Sequence, residues 1–87
     1  MQQKRINKGN DLYETLNSYG KIELRLNSLL EEKGISKTML AKQTKLKYDV
    51  VKRYCDDAPS RFDREVLVKI CYCLECEISD LLVYKKS

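Results

Sequence analysis

Lys37-Thr38-Met39-Leu40-Ala41-Lys42-Gln43-Thr44-Lys45-Leu46-Lys47-Tyr48-Asp49-Val50-Val51-Lys52-Arg53-Tyr54 is the stretch that decides how this chain folds. Leu40 and Ala41 form the apolar face of a short helix over about 37–44, and Ser36 ahead of it is a good N-cap. Leu46 marks a turn. Val50, Val51 and Tyr54 then fall on one side of a second helix, predicted over about 47–55. Two helices that cross steeply through so short a turn need a small side chain where they touch, and Ala41 supplies it. The motif core is therefore Leu40, Ala41, Leu46, Val51 and Tyr54, which leaves Lys47, Tyr48, Asp49, Lys52 and Arg53 facing outward.

Working outward, Ile22, Leu26, Leu29 and Leu30 recur at helical spacing across about 21–33, and Gly34 is placed as a C-cap. Asp56-Asp57-Ala58-Pro59-Ser60 holds the single proline and reads as a loop. A helix starting near Asp63 carries Leu67, Ile70, Cys71 and Leu74 at i, i+3, i+4, i+7. A last short helix is predicted over 79–83, with Ile78 buried at its entry, Leu81 and Leu82 in the core and Tyr84 in a core or core-edge slot. Residues 1–10 read as a polar, basic arm. Residues 11–18 carry Leu12 and Leu16 on the face of a short helix that Gly20 stops. Period-two alternation is nowhere long enough to argue for a strand. The expectation is all-α, with units at 1–20 (arm), 21–84 (compact domain) and 85–87 (tail).

Eighty-seven residues make one small domain, and 3 Gly with 1 Pro suit helices. No apolar run approaches the roughly 18 residues of a membrane span, and the polar start lacks an apolar leader, so the expected setting is the cytoplasm, without membrane contact. There the four cysteines are expected to be reduced. Cys71, Cys73 and Cys76 lack the paired knuckles of a zinc site, Cys55 stands apart, and the chain has no His. Cys71 and Cys76 are expected inward and Cys73 outward, with no metal and no cofactor. No glycine-rich phosphate loop or activated nucleophile suggests an enzyme, and Asp56-Asp57 suits capping better than catalysis. A stacking platform built from the six tyrosines is a lesser possibility, since Tyr54 fits the core and Tyr72 lies opposite its helix's apolar stripe.

Charge points to the partner. Between residues 37 and 53 lie Lys37, Lys42, Lys45, Lys47, Lys52 and Arg53 against Asp49 alone, a net +5 that exceeds the +4 of the whole chain. Such concentration is the electrostatic footprint of a nucleic-acid-binding face.

From about Ile22 to Tyr84 the sequence resembles the XRE family of helix-turn-helix regulators, the group of phage Cro and lambda repressor. The resemblance rests on Leu26 with Leu29-Leu30-Glu31-Glu32-Lys33-Gly34-Ile35-Ser36, on Leu40-Ala41, Leu46 and Val51, and on Leu67-Val68-Lys69-Ile70-Cys71 with Leu74-Glu75-Cys76-Glu77-Ile78-Ser79-Asp80-Leu81-Leu82. It implies a compact five-helix, lambda-repressor-like domain with an extra N-terminal segment, whose third helix lies in the DNA major groove. It places Tyr48, Asp49 and Arg53 at base edges, and Lys37, Lys47 and Lys52 at phosphates. Two positions depart from the pattern. Lys45 stands where the turn usually has Gly, and Lys37 replaces a frequent Gln.

The resulting expectation is a sequence-specific regulator of double-stranded DNA, of the repressor kind, working as a homodimer without a small-molecule ligand. The dimer surface falls to 82–86 or to the N-terminal segment. The alternative is a protein-interaction module of antitoxin or anti-repressor type that uses the same fold without base readout.

Overall fold

The computed structural model describes residues 19–86. The predicted arm and the helix over 11–18 lie outside the described residues. The element order is β1 (Lys21–Leu24), α1 (Leu26–Lys33), α2 (Lys37–Thr44), α3 (Tyr48–Cys55), α4 (Arg64–Leu74), α5 (Ile78–Leu81) and β2 (Leu82–Lys85). The molecule is thus mostly helical but not purely α. The N-terminal part of the expected helix over 21–33 is a strand, and the expected helix over 79–83 ends at Leu81 and turns into one.

The two strands pair antiparallel, with Lys21 opposite Lys85, Ile22 opposite Tyr84, Glu23 opposite Val83 and Leu24 opposite Leu82. Pairing across the whole chain overrides the local helical spacing. The Arg25 N–H donates to the Leu81 carbonyl at 2.7 Å, which closes the ribbon where α1 begins. Glu23 reaches diagonally to Lys85 (3.4 Å) and offsets the like charges of Lys21 and Lys85. Gly20, at φ 96°, leads into β1 against the Lys85 carbonyl, and a Cβ there would collide with it.

Each helix end has a local cause. Gly34 ends α1 in the left-handed region, and the Ile35 N–H returns to the Leu30 carbonyl at 3.0 Å. Ser36 caps α2 by accepting from the Met39 N–H at 3.0 Å. The Asp63 carboxylate starts α4 by accepting from the Glu65 N–H at 2.9 Å. The Asp80 carboxylate accepts from the Glu77 N–H at the start of α5, also at 2.9 Å.

The core gathers Leu24 and Leu26, Leu30, Leu40 and Ala41, Val51, Tyr54 and Cys55, Val66, Ile70, Leu74 and Leu81. Burying each large aliphatic side chain contributes roughly 1.5–3 kcal/mol before entropy is counted. Ile78 is not part of this core. It is 48% exposed, because Leu81 alone of that short helix turns inward, and Tyr84 is exposed as well. Cys71, Cys73 and Cys76 are all half-buried, so Cys73 is less outward than its spacing suggests.

Candidate nucleic-acid interface

The turn between α2 and α3 runs through Lys45, Leu46 and Lys47. Lys45 adopts φ 63°, ψ 25°, the left-handed conformation that glycine takes without steric cost. A side chain with Cβ is strained there by about 1–2 kcal/mol. Thr44, a buried polar residue that the sequence reading passed over, helps to hold the turn in that shape. Its hydroxyl donates to the Leu40 carbonyl at 2.7 Å and accepts from the Leu46 N–H at 3.3 Å. Leu46 packs partly buried against the core, and Lys47 stands in extended conformation as the residue that starts α3.

α3 has two sides. Val51 is 0% and Tyr54 4% exposed, both packed into the core with Leu40 and Ala41. The Tyr54 ring leans on Phe62 with centroids 6.1 Å apart, and its hydroxyl accepts from the Asp63 N–H at 2.9 Å, which ties α3 to the start of α4. Of the five motif-core residues, Leu40, Ala41, Val51 and Tyr54 are buried and Leu46 packs partly buried against them. On the other side Lys47, Tyr48, Asp49, Lys52 and Arg53 are exposed. The three expected base-reading residues, Tyr48, Asp49 and Arg53, thus share the outer side of one helix. Lys37 sits half-buried at the start of α2.

Lys52 is engaged within its own helix. Its ammonium meets the Asp56 carboxylate at 2.9 Å, and that hydrogen bond and charge raise its pKa above the usual lysine value. Both side chains are more than half exposed, so the pair is of the weak surface kind. Arg53 shares an open cleft with Ser60 and Arg61 of the loop that follows α3. Ser60 and Arg61 escaped the sequence reading because a loop has no periodicity to mark a facing. The available signal was an Arg just after the one proline.

Two of the four thiols are quiet. Burial pushes the Cys55 thiol up, with the Lys37 charge acting the other way, and burial together with neighbouring Cys71 pushes Cys76 up to about 11. Both are therefore neutral at physiological pH, the opposite of an activated nucleophile. Among the described residues no cluster of three His, Cys, Asp or Glu side chains is arranged to hold a metal ion. No described helix is long and apolar enough to cross a membrane.

A three-residue turn joining two short helices packed on each other, with a sealed rear and a cationic front, defines a helix-turn-helix DNA-binding domain. The chain belongs to the family of the Cro/C1-type HTH DNA-binding domain, whose model matches residues 25–87. It is also similar in fold to a solved crystal structure, described as that of a candidate DNA-binding protein from Bacteroides fragilis. The TM-score is 0.64 and the identity 24%, over 72% of this chain and 100% of the other. No curated protein matches the chain.

Proposed function

We propose that this protein is a sequence-specific regulator of the repressor kind that inserts α3 into the major groove of double-stranded DNA. The observation that carries this reading is the division of α3 between a side fully packed in the core and a side where five polar or charged side chains stand free of it. Arg53 offers the paired donors that match O6 and N7 of guanine, Asp49 accepts from the N4 amine of cytosine, and Tyr48 touches a thymine methyl or a phosphate. Lys37, Lys47 and Lys52 lie along the flanking phosphates. Ser60 and Arg61, beside Arg53, extend the line of backbone contacts. One such domain reads only a few base pairs. Useful specificity therefore calls for a homodimer on a pseudo-palindrome, with half-sites about 34–36 Å apart. Regulation then follows from occupancy of a promoter.

Selection of binding sites from random duplex DNA, repeated with Arg53→Ala, tests this reading. An enriched site that loses preference at one or two positions in the variant is the expected result, and no enriched site refutes it. Asp49 favours a second reading. Its carboxylate stands in the first turn of α3, where it repels phosphate, as suits a protein-interaction module that does not read bases. That reading predicts full activity with both Lys47 and Arg53 replaced by Ala.

A further inference from the structure

Two helix ends in this fold are built alike and filled differently. α1 closes with Gly34 in the left-handed region and the Ile35 N–H on the Leu30 carbonyl, so the pair joined across the cap is apolar. α4 closes in the same way at Glu75, φ 52°. The Glu75 N–H donates to the Tyr72 carbonyl at 3.3 Å, and the Cys76 N–H donates to the Cys71 carbonyl at 3.1 Å. Here the pair brought together across the cap is two thiols. Burial acts most strongly on the Cys76 thiol, and the charge and hydrogen bonding of the Cys71 thiol come next, so the two sulfurs are neighbours.

We propose that Cys71 and Cys76 are a redox pair, which a low-molecular-weight disulfide such as oxidised glutathione closes into an intrachain disulfide across the end of α4. The backbone already meets the demand of such a bridge. A disulfide joins Cα atoms about 4.4–6.8 Å apart. With the N···O distance at 3.1 Å, standard bond lengths hold the two Cα atoms within about 7 Å, and the bent path between them brings them closer. Both residues are half-buried, so an oxidant reaches them. The other cysteines stand apart: Cys55 is buried in α3, and Cys73, two positions from Cys71, falls on another side of α4. In the reaction, one protein thiolate attacks a sulfur of oxidised glutathione, and the S–S bond breaks. The first glutathione leaves as a thiolate and takes up the proton that the cysteine gave up. The second protein thiol loses its proton and attacks the mixed disulfide at the protein sulfur, expelling the second glutathione, which is protonated in turn. Two protein thiols are thereby oxidised, and one glutathione disulfide is reduced to two thiols. Cys76 is scarce as thiolate, so closure is slow. For the same reason it is a poor leaving group, and reducing thiols reopen the bridge slowly.

Titration of the purified full chain in mixtures of reduced and oxidised glutathione, without DNA, tests this. Alkylation of the remaining thiols and mass spectrometry give the readout. Two of the four cysteines should escape alkylation without retaining glutathione, in a fraction independent of protein concentration. Cleavage after Glu65, Glu75 and Glu77 should then leave peptide 66–75 joined to Cys76-Glu77. Cys73→Ser should keep that link and Cys71→Ala should lose it. The same titration of the unaltered chain in urea separates folded geometry from mere closeness in sequence. The folded chain should close with an equilibrium constant roughly tenfold or more above that of the unfolded chain. Equal or weaker closure when folded would overturn the proposal. So would a link through Cys73, a disulfide between two chains, or a lasting mixed disulfide with glutathione in place of the bridge.

Discussion

The rear of the α2–α3 unit is sealed: Leu40, Val51 and Tyr54 are buried against α1 and α4, and Ala41 lets the two helices approach. The front, on the same α3, presents Lys47, Tyr48, Asp49, Lys52 and Arg53 to solvent. Each face obeys its own physics. Changes at the rear remove close packing and register as lost stability. Changes at the front remove charge and hydrogen-bond donors that matter only when a polyanion is present. Stability and binding can therefore be altered separately on a helix of eight residues.

The largest effect comes from opening the rear. Leu40→Ala leaves a cavity where the side chain is fully buried, and a loss of about 2–5 kcal/mol is expected. For a domain of this size that lowers Tm by roughly 10–30 °C in a thermal melt. A shift of only a few degrees would mean that the unit is less tightly packed than its burial indicates. Next is Arg53→Ala at the front. It should weaken binding to the selected site by about 1–3 kcal/mol per half-site while leaving Tm almost unchanged, measured by titration and melting of the same sample. A parallel fall in Tm would erase the distinction between the faces.

Between the two faces lies the turn. Gly34 after α1 and Lys45 after α2 adopt nearly the same backbone, φ 68° and φ 63°. Lys45→Gly should raise stability by about 1 kcal/mol through relief of left-handed strain, and Gly34→Lys, with open space around its Cβ position, should lower it by a similar amount. Opposite shifts of about 4–8 °C in Tm are the expected readout. If Lys45→Gly lowers Tm, the Thr44 and Leu46 contacts matter more than the conformation of residue 45.

The sequence revealed these regions unequally. The α2–α3 unit could be read because its signals are local: Ser36 caps, Leu40 and Ala41 sit together, and Val51 and Tyr54 share a helix side. The ribbon could not. Lys21-Ile22-Glu23-Leu24 does alternate, but over four residues only, and Ile22 also fits the helical series that runs through Leu26, Leu29 and Leu30. What makes it a strand is hydrogen bonding to residues about sixty positions later, and such pairing leaves no local mark. Ile78 and Tyr84 were misplaced for the same reason, since their facing depends on where α5 gives way to β2. Within the site, the outward residues of α3 followed from periodicity. The cleft that joins Arg53 to Ser60 and Arg61 depends on how the loop folds back, and the hold of Asp56 on Lys52 on which i, i+4 neighbours meet.

That ion pair allows the finest test of the front face. Asp56→Asn keeps the shape and the N–H that caps α3, but removes the charge that holds Lys52. An exposed i, i+4 pair contributes about 0.2–0.5 kcal/mol, so stability should hardly move. DNA affinity should rise, because a carboxylate near the phosphates is gone and Lys52 is released toward them. If Lys52 then neutralises one further phosphate, the slope of log K against log salt steepens by about 0.9 per protomer. An unchanged slope with tighter binding would assign the gain to removal of the acid alone. An unchanged affinity would place Asp56 and Lys52 together outside the DNA contact, leaving Lys47 and Arg53 as the cations of α3 that meet the duplex.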